Sequence, residues 1–400
     1  MDWKFLLSSE VQEFIKAHEG DDFKALALKK APDLNCPYPL ILDQIKVRQK
    51  AKIKSSDLYE TNGFIFPKND LYEQASSQPC AVYKASLLSG GSFVDLTSGC
   101  GADSFQISKH FVSSVLVERD EYSASLLEHN ASALLDSGYI KSKVNIRNVD
   151  AVNYIDNIED VDSIFIDPQR RESGRKALYD FSACSPDITK LLPILKNKAK
   201  KILIKASPFL DIEKAIRQLG MVVQVHVVQW RGECKEVLYL LDCDDGNNCD
   251  DPEIIAVNID DTGNVKNRFS YFMSKEKTLN IEFSKPLKYI LEPSAAMQKA
   301  GGFKSIATHY GIKKIHPNSH IYTADFVPDN FVGKGYEVVG IYPARAKSLP
   351  VKKSDLVVRN FPMAVKDLRK KLKLSDGGEH RIFATTLYNG NKSLILCTKP

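Results

Sequence analysis

Four acidic side chains stand at the ends of four short apolar runs. Asp95 sits in Ser92–Leu96, Glu118 closes Ser114–Glu118, Asp150 follows Val144–Val149, and Asp167 follows Ser163–Ile166 and precedes Pro168. Carboxylates in such places accept hydrogen bonds from hydroxyl or cationic groups of a ligand. The first run breaks into Thr97-Ser98-Gly99-Cys100-Gly101-Ala102-Asp103, and an amphipathic stretch then begins. That order predicts strand, tight turn and helix. Gly99 and Gly101 lack a Cβ, so the turn can take positive φ and come close to a ligand. The helix start offers free N–H groups. Glu118 lies roughly twenty residues past the turn, the spacing at which a carboxylate reaches a ribose in nucleotide-binding α/β units. If the four runs share one sheet, the four acids line one edge of it. The alternative is four independent strand-end turns, where Asp is common anyway.

The elements that must position these acids alternate from Ser92 to Asp242. Helices are expected at Asp103–Phe111, Tyr122–Leu135, after Asp150, around Asp187–Leu195, and at Asp211–Gln218, with Asp211 as N-cap. A fifth strand is expected at Lys201–Lys205. Two further β segments follow, Met221–Trp230 and Glu236–Asp242. The turn between them, Arg231–Lys235, is too short for a crossover helix, so an antiparallel pair is expected. Five parallel strands closed by such a hairpin define an α/β sheet whose last strand runs backwards.

Asp95 to Gly101 resembles the first motif of the class I S-adenosylmethionine-dependent methyltransferases, in a Thr-Ser-Gly-Cys-Gly form. The resemblance implies a Rossmann-like seven-stranded sheet with an antiparallel last strand, and S-adenosyl-L-methionine as cofactor. It places Asp95, Thr97, Gly99, Gly101 and Asp103 in the cofactor loop. Glu118 resembles the acid on the ribose hydroxyls, and Asp150 with Ala151 the adenine contact. Asp167-Pro168 resembles the motif beside the methyl group. Ser104 stands where a third glycine would complete a dinucleotide fingerprint, and this family has no phosphate there to cradle.

Methyl transfer from a sulfonium is an in-line displacement, so the acceptor must be aligned and often deprotonated. Asp167, Pro168, Arg170 and Lys205 are the expected catalytic set. Family members that methylate exocyclic amines often carry Asn-Pro-Pro-Tyr or Asp-Pro-Pro-Tyr here. Gln169 and Arg170 replace the second proline and the aromatic, which puts an adenine or guanine amine in question. Arg170 and Arg171 can grip phosphate, stack on a base, or form a strand-end ion pair. Lys205 either neutralises Asp167 or binds phosphate. Pyrimidine C5 chemistry needs a cysteine nucleophile. Cys100, Cys184 and Cys234 are candidates, although each reads equally as a small buried hydrophobe. Glu233 and Lys235 either reach the site or decorate a surface turn.

The 400 residues suggest two to three domains, with 43% hydrophobic and 26% charged residues and no run long enough to span a membrane. The N-terminal apolar stretch is too short for a secretory signal. Eight scattered cysteines without a Cys-x-x-Cys pair fit a reducing cytoplasm and give no metal site. The net charge of +5 hides an asymmetry: Ile341–Pro400 holds thirteen Lys/Arg against four Asp/Glu. Lys24–Lys54 holds eight basic residues against two acids. Two basic blocks flanking such a core favour a polyanion partner.

The expected organisation is a helical N-terminal domain over 1–88, the methyltransferase domain over 89–245, a small α+β ferredoxin-like domain over 246–330, and a basic domain over 331–400. Ser76-Ser77 and Tyr83-Lys84 lie either over the cofactor mouth or in a structural cap. Strands are expected at Ile254–Ile259, Phe269–Met273, Leu279–Phe283 and His320–Phe326, with a helix at Ala295–Phe303. Tyr289–Ala296 is a stretch that can return to the active-site face. The last segment carries strands, a basic helix at Met363–Leu372 and an Asn389-Gly390 hairpin turn. It resembles a THUMP-like domain, which implies an RNA partner. The reading is a cytoplasmic methyltransferase of RNA, either rRNA or tRNA. The alternatives are an inactive methyltransferase-fold RNA-binding protein, or a methyltransferase of a small molecule or protein.

Overall fold

Short runs with apolar residues at strand period, ending in turn residues and only half-buried in the edge run Lys143–Asn148, build the first sheet. Its strands are β1 (Gly90–Asp95), β2 (Phe111–Glu118), β3 (Lys143–Asn148) and β4 (Val161–Ile166). After the two-residue β5 (Gln169–Arg170) and β6 (Cys184–Ser185) come β7 (Ala199–Ala206), β8 (Val222–Trp230) and β9 (Glu233–Asp242). The computed structural model describes residues 2–170, 180–244 and 251–399, with Arg170 described by its backbone alone. The chain divides into two units. The first holds Met1–Gln224, Glu236–Asp250 and Ile259–Val265; the second holds Val225–Lys235, Asp251–Asn258 and Lys266–Pro400.

In the first unit β1 pairs in parallel with β2 and β4, β2 with β3, and β4 with β7. β9 then runs antiparallel along β7, with Ile202 opposite Leu241 and Lys205 opposite Leu238. Central strands are covered on both faces, and Ile164, Phe165, Ile166, Ile202, Leu203 and Ile204 are fully buried. Helices α7 (Ser104–Ser108), α8 (Glu121–Asp136), α9 (Ala151–Tyr154), α10 (Ile188–Leu195) and α11 (Ile212–Leu219) fill the connections. Asp120, Asp150, Asp187 and Asp211 each cap a helix by accepting a backbone N–H. This is a Rossmann-like methyltransferase sheet with an antiparallel last strand.

Six helices precede it: α1 (Ser9–His18), α2 (Phe23–Ala27), α3 (Tyr38–Lys54), α4 (Ser56–Glu60), α5 (Asn69–Gln74) and α6 (Gln78–Ala85). The stretch before β1 is two short helices, α5 and α6, not one. Pro79 lacks an N–H and is tolerated only in a first turn, so a new helix starts at Gln78. Trp3, Leu6, Val11, Ile15, Leu26, Ile41, Ile45 and Ile65 form one core with Leu126 of α8. The Trp3 indole donates to Ser125 Oγ at 2.9 Å, and Asn130 bonds both backbone groups of Ile65.

The second unit contains most of β10 (Glu253–Ile259) and β11 (Val265–Phe272), α12 (Met273–Thr278), β12 (Tyr289–Pro293), α13 (Ala295–Ala300) and α14 (Phe303–Tyr310). Beyond them lie β13 (Lys313–Lys314), β14 (Tyr322–Ala324), β15 (Gly333–Pro343), β16 (Asp355–Arg359), α15 (Val365–Leu372), β17 (His380–Thr386) and β18 (Lys392–Thr398). A seven-stranded sheet runs in the order β13-β14-β12-β15-β18-β17-β16. Leu279–Phe283 is no strand; Phe283 makes only an isolated bridge to Lys314, because the segment is exposed and buries no face. The helix expected over Ala295–Phe303 is interrupted by Gly301-Gly302, at φ +83° and +67°, and α14 follows. Tyr289–Pro293 is an interior strand between β14 and β15.

Candidate active site

The carboxyl ends of β4, β1, β2 and β3 lie in that order along one edge, and each brings an acid. Asp95 ends β1 and is 1% exposed. Its Oδ1 accepts the Thr97 N–H at 2.8 Å and its Oδ2 accepts the Ser104 hydroxyl at 2.5 Å. Burial pushes its carboxyl up to about 7. Asp95 thus ties the glycine turn back to the strand tip. Glu118 ends β2, accepting the Gly99 N–H and the Asp120 N–H, each at 2.8 Å. Burial raises the Glu118 carboxyl despite those two donors. Asp150 caps α9 through the Val152 N–H at 2.9 Å, and Ala151 is buried behind it.

Gly101, at φ +83°, is closed in: a Cβ there would stand 2.3 Å from Cε2 of Phe105. Gly99, at φ +54°, is open, with nothing within 4 Å of where a Cβ would stand. The turn therefore has one glycine required by packing and one that leaves free space above the backbone, beside Glu118. Carboxylates have about four acceptor positions each. Glu118 and Asp150 retain some for diol or amine donors.

The fourth acid starts a charged cluster. Asp167 takes the Thr97 hydroxyl as acceptor for its own N–H at 2.7 Å, and its Oδ2 lies 2.5 Å from Lys205 Nζ at the end of β7. Lys205 also stands 3.5 Å from Asp103 Oδ2. Asp103 accepts the Ser76 hydroxyl at 2.8 Å and lies 3.1 Å from Lys84 Nζ. Lys84, from α6, is fully buried and meets both Glu236 oxygens at 2.6 Å. Burial opposes both ammonium charges. The carboxylates of Asp103 and Glu236 around Lys84, and of Asp167, Asp103 and Glu236 around Lys205, nevertheless hold both above the ordinary lysine value. Burial raises Glu236, whereas the two lysines overcome burial at Asp103 and hold its carboxyl low. Of the two roles open to Lys205, neutralising Asp167 is the one the geometry displays.

The sequence reading missed Glu236. The available signal was a lone acid opening Val237–Leu241, a run buried throughout, and a lone lysine among the apolar residues of α6. Glu233 and Lys235, named in its place, pair with each other at 2.5 Å at the exposed start of β9, next to the hairpin turn. Arg231 and Gly232 there have φ +50° and +83°, the angles of a two-residue hairpin turn. Arg170 lies in a two-strand ladder, opposite Cys184. Arg171 lies outside the described residues, as does most of the Asp- and Asn-rich stretch 242–251 at the expected domain boundary. Burial raises the Cys100 thiol, which removes thiolate character from the candidate beside the glycines. Cys184 is buried and its thiol donates to the Asp180 carbonyl at 3.6 Å.

Among the basic residues of α3, Arg48 pairs with Glu19, Lys50 with Glu73, and Lys54 donates to the Tyr72 and Glu73 carbonyls. Lys54 is held inward, and burial pulls its ammonium down to about 8. On α15, Leu368 and Leu372 face the core while Lys366, Lys370 and Lys371 are exposed. No helix among the described residues is long and apolar enough to cross a membrane, and no group of metal-ligating side chains forms among them.

The architecture is that of the class I methyltransferases with a THUMP-like C-terminal domain. Residues 333–399 match the model of a THUMP-like domain, and residues 289–331 that of a ferredoxin-like domain. Across its whole length the chain is similar to a crystal structure from Porphyromonas gingivalis W83 that carries a provisional methyltransferase designation. The identity is 27% and the TM-score 0.85, covering 100% of this chain and 99% of that one. Slighter likenesses are to a provisionally designated RNA methyltransferase of Pyrococcus horikoshii, at 16% identity and TM-score 0.31, covering 48% of this chain and 96% of that one. Another is to a T. thermophilus 16S rRNA N2 G1207 methyltransferase solved with AdoMet and guanosine, at 15% and 0.31, covering 41% and 43%. These two carry no argument beyond being similar in part. No curated protein matches the chain.

Proposed function

We propose that the chain is a cytoplasmic S-adenosylmethionine-dependent methyltransferase acting on RNA. The observation that carries the reading is the row of acids on four adjacent parallel strands around an open Gly99. A nucleoside laid across strand tips at that edge meets carboxylates in order. Glu118 would hold the ribose hydroxyls, Asp150 and Ala151 the adenine, and Thr97, Gly99, Gly101 and Asp103 the loop side. Asp95 acts through the loop it orders. When bound, the cofactor supplies an electrophilic methyl group.

Asp167 and Pro168 stand beside the acceptor position, and Lys205 fixes the Asp167 carboxylate in place. An acceptor N–H or O–H donated to the free Asp167 oxygen would be aligned and its proton polarised. Arg170 follows on the same segment and would meet the acceptor strand. The basic α15 and the THUMP-like match favour RNA over a small molecule. Titration calorimetry with S-adenosylmethionine and its demethylated product tests the cofactor. Mapping modified nucleotides in cells lacking the protein tests the substrate. No heat from either compound with folded protein sinks the reading.

A further inference from the structure

The second unit contains a cationic cluster far in sequence from every residue considered above. Glu292, at the end of β12, is shared by two guanidinium groups. Arg359 Nη2 lies 3.1 Å from its Oε1 and Arg381 Nη2 lies 2.7 Å from its Oε2. Both arginines use only an Nη edge on this acid. Their Nε–H donors are buried and have no hydrogen-bond partner among the described residues. His320 Nδ1 is a third buried atom without a partner there, and its ring feels the Arg359 charge. A buried donor left unmade costs about 1–3 kcal/mol, so the two Nε–H groups on either side of Glu292 ask for an acceptor.

The charges point the same way. The nearby acid Asp355 is bound to Lys399 at 2.7 Å, which leaves Glu292 alone against two arginines. Lys314 is 3% exposed and donates to the Pro317 carbonyl at 2.7 Å. Glu276, the acid that acts on Lys314, is itself spent on the Lys304 and Ser305 N–H groups and the Ser305 hydroxyl. The cluster also has a flat floor, since the Arg381 guanidinium lies 5.1 Å from the Tyr336 ring centroid and 5.4 Å from that of Phe383. The arginine side chains remain 31% and 24% exposed, so the site can be reached.

We propose that Arg359 and Arg381 form an oxyanion site that takes a phosphate group. Two planar forks on one sheet face match the oxygens of a phosphate better than point charges do. The exposed Nη edges admit the anion, and a rotation of each guanidinium turns its Nε–H donor onto it. Glu292 sits between the two forks and offsets their mutual repulsion. The phosphate source is either a polynucleotide backbone or a free phosphate. Only the polynucleotide source rests on the RNA reading; the site itself does not need methyl transfer.

The test is NMR on the full chain, following the arginine Nε–Hε signals during titration with inorganic phosphate at constant ionic strength, with chloride as control. Arg359→Lys and Arg381→Lys assign the two signals, keep the positive charge and report on folding through the remaining spectrum. Saturable shifts of both signals, weakened by about tenfold in either lysine variant, are expected. Added RNA hairpin that displaces phosphate from these signals assigns the site to backbone phosphate. Phosphate binding that RNA leaves untouched assigns it to a free phosphate. Absence of a saturable shift in folded protein overturns the site, whatever calorimetry says of the methyl donor.

Discussion

Lys84 Nζ lies 2.6 Å from both carboxylate oxygens of Glu236, with neither residue more than 4% exposed at its side chain. One comes from the helical N-terminal region and the other from the antiparallel last strand. With Asp103, Lys205 and Asp167 they make a chain of alternating charges that ends at the tip of β4.

Lys84→Met therefore removes the partner of two buried acids at once. Breaking a buried pair from one side costs about 3–5 kcal/mol. Urea unfolding should show a loss of that order, partly recovered by adding Glu236→Gln. A variant as stable as the parent shows that the pair holds nothing together.

Asp167→Ala should remove methyl transfer while leaving RNA affinity intact. A general-base or aligning role is worth about 10²–10⁴ in rate. Incorporation of labelled methyl groups measures the first and filter binding the second. Unchanged methylation would take Asp167 out of the mechanism.

The two glycines of the turn predict opposite failures. Gly101→Ala pushes a methyl group into Phe105 and Leu127 and should destabilise the fold by about 1–3 kcal/mol. Gly99→Ala meets no protein atom and should cost only about 1 kcal/mol of backbone strain. It should nevertheless lose most of the calorimetric signal for S-adenosylmethionine, because the new methyl group fills the open space.

Asp95 governs the pH response of the loop. Its carboxyl titrates near 7 when folded against 3.8 ordinarily. The folded protein therefore holds the extra proton between those values. The stabilising contribution is complete below about pH 4 and is lost as pH rises through about 7. Asp95→Asn should flatten stability across that window, as read by urea unfolding at a series of pH values. A wild-type slope unchanged in the variant contradicts the assignment.

RNA binding through α15 predicts a salt dependence. Replacing Lys366, Lys370 and Lys371 by Glu should weaken binding and flatten the plot of log affinity against log salt, by about one unit of slope per lost contact. Equal slopes would exclude this helix from the interface.

The four strand tips were legible because each acid follows a short run with apolar residues at strand period, buried in β1, β2 and β4 and only half-buried in β3, and period and punctuation are local signals. The antiparallel last strand was legible from a connection too short to cross over. Glu236 was not, because its partner Lys84 lies 152 residues away and nothing local announces a long-range ion pair. Leu279–Phe283 had the pattern of a strand, but propensity without a face to bury does not make one. The basic stripe expected on α3 is largely spent internally, since Arg48, Lys50 and Lys54 find acids and carbonyls that only folding brings near.

The Lys84–Glu236 contact also bears on how the protein can be cut. A fragment starting at Ser89 would take Lys84 from Glu236 and Asp103 and leave Lys205 as the cation between them in a dry interior, and would uncover Leu126 and Asn130. The opening helices are thus structural masonry for the first sheet, and shortened versions intended for crystallisation or screening should keep them.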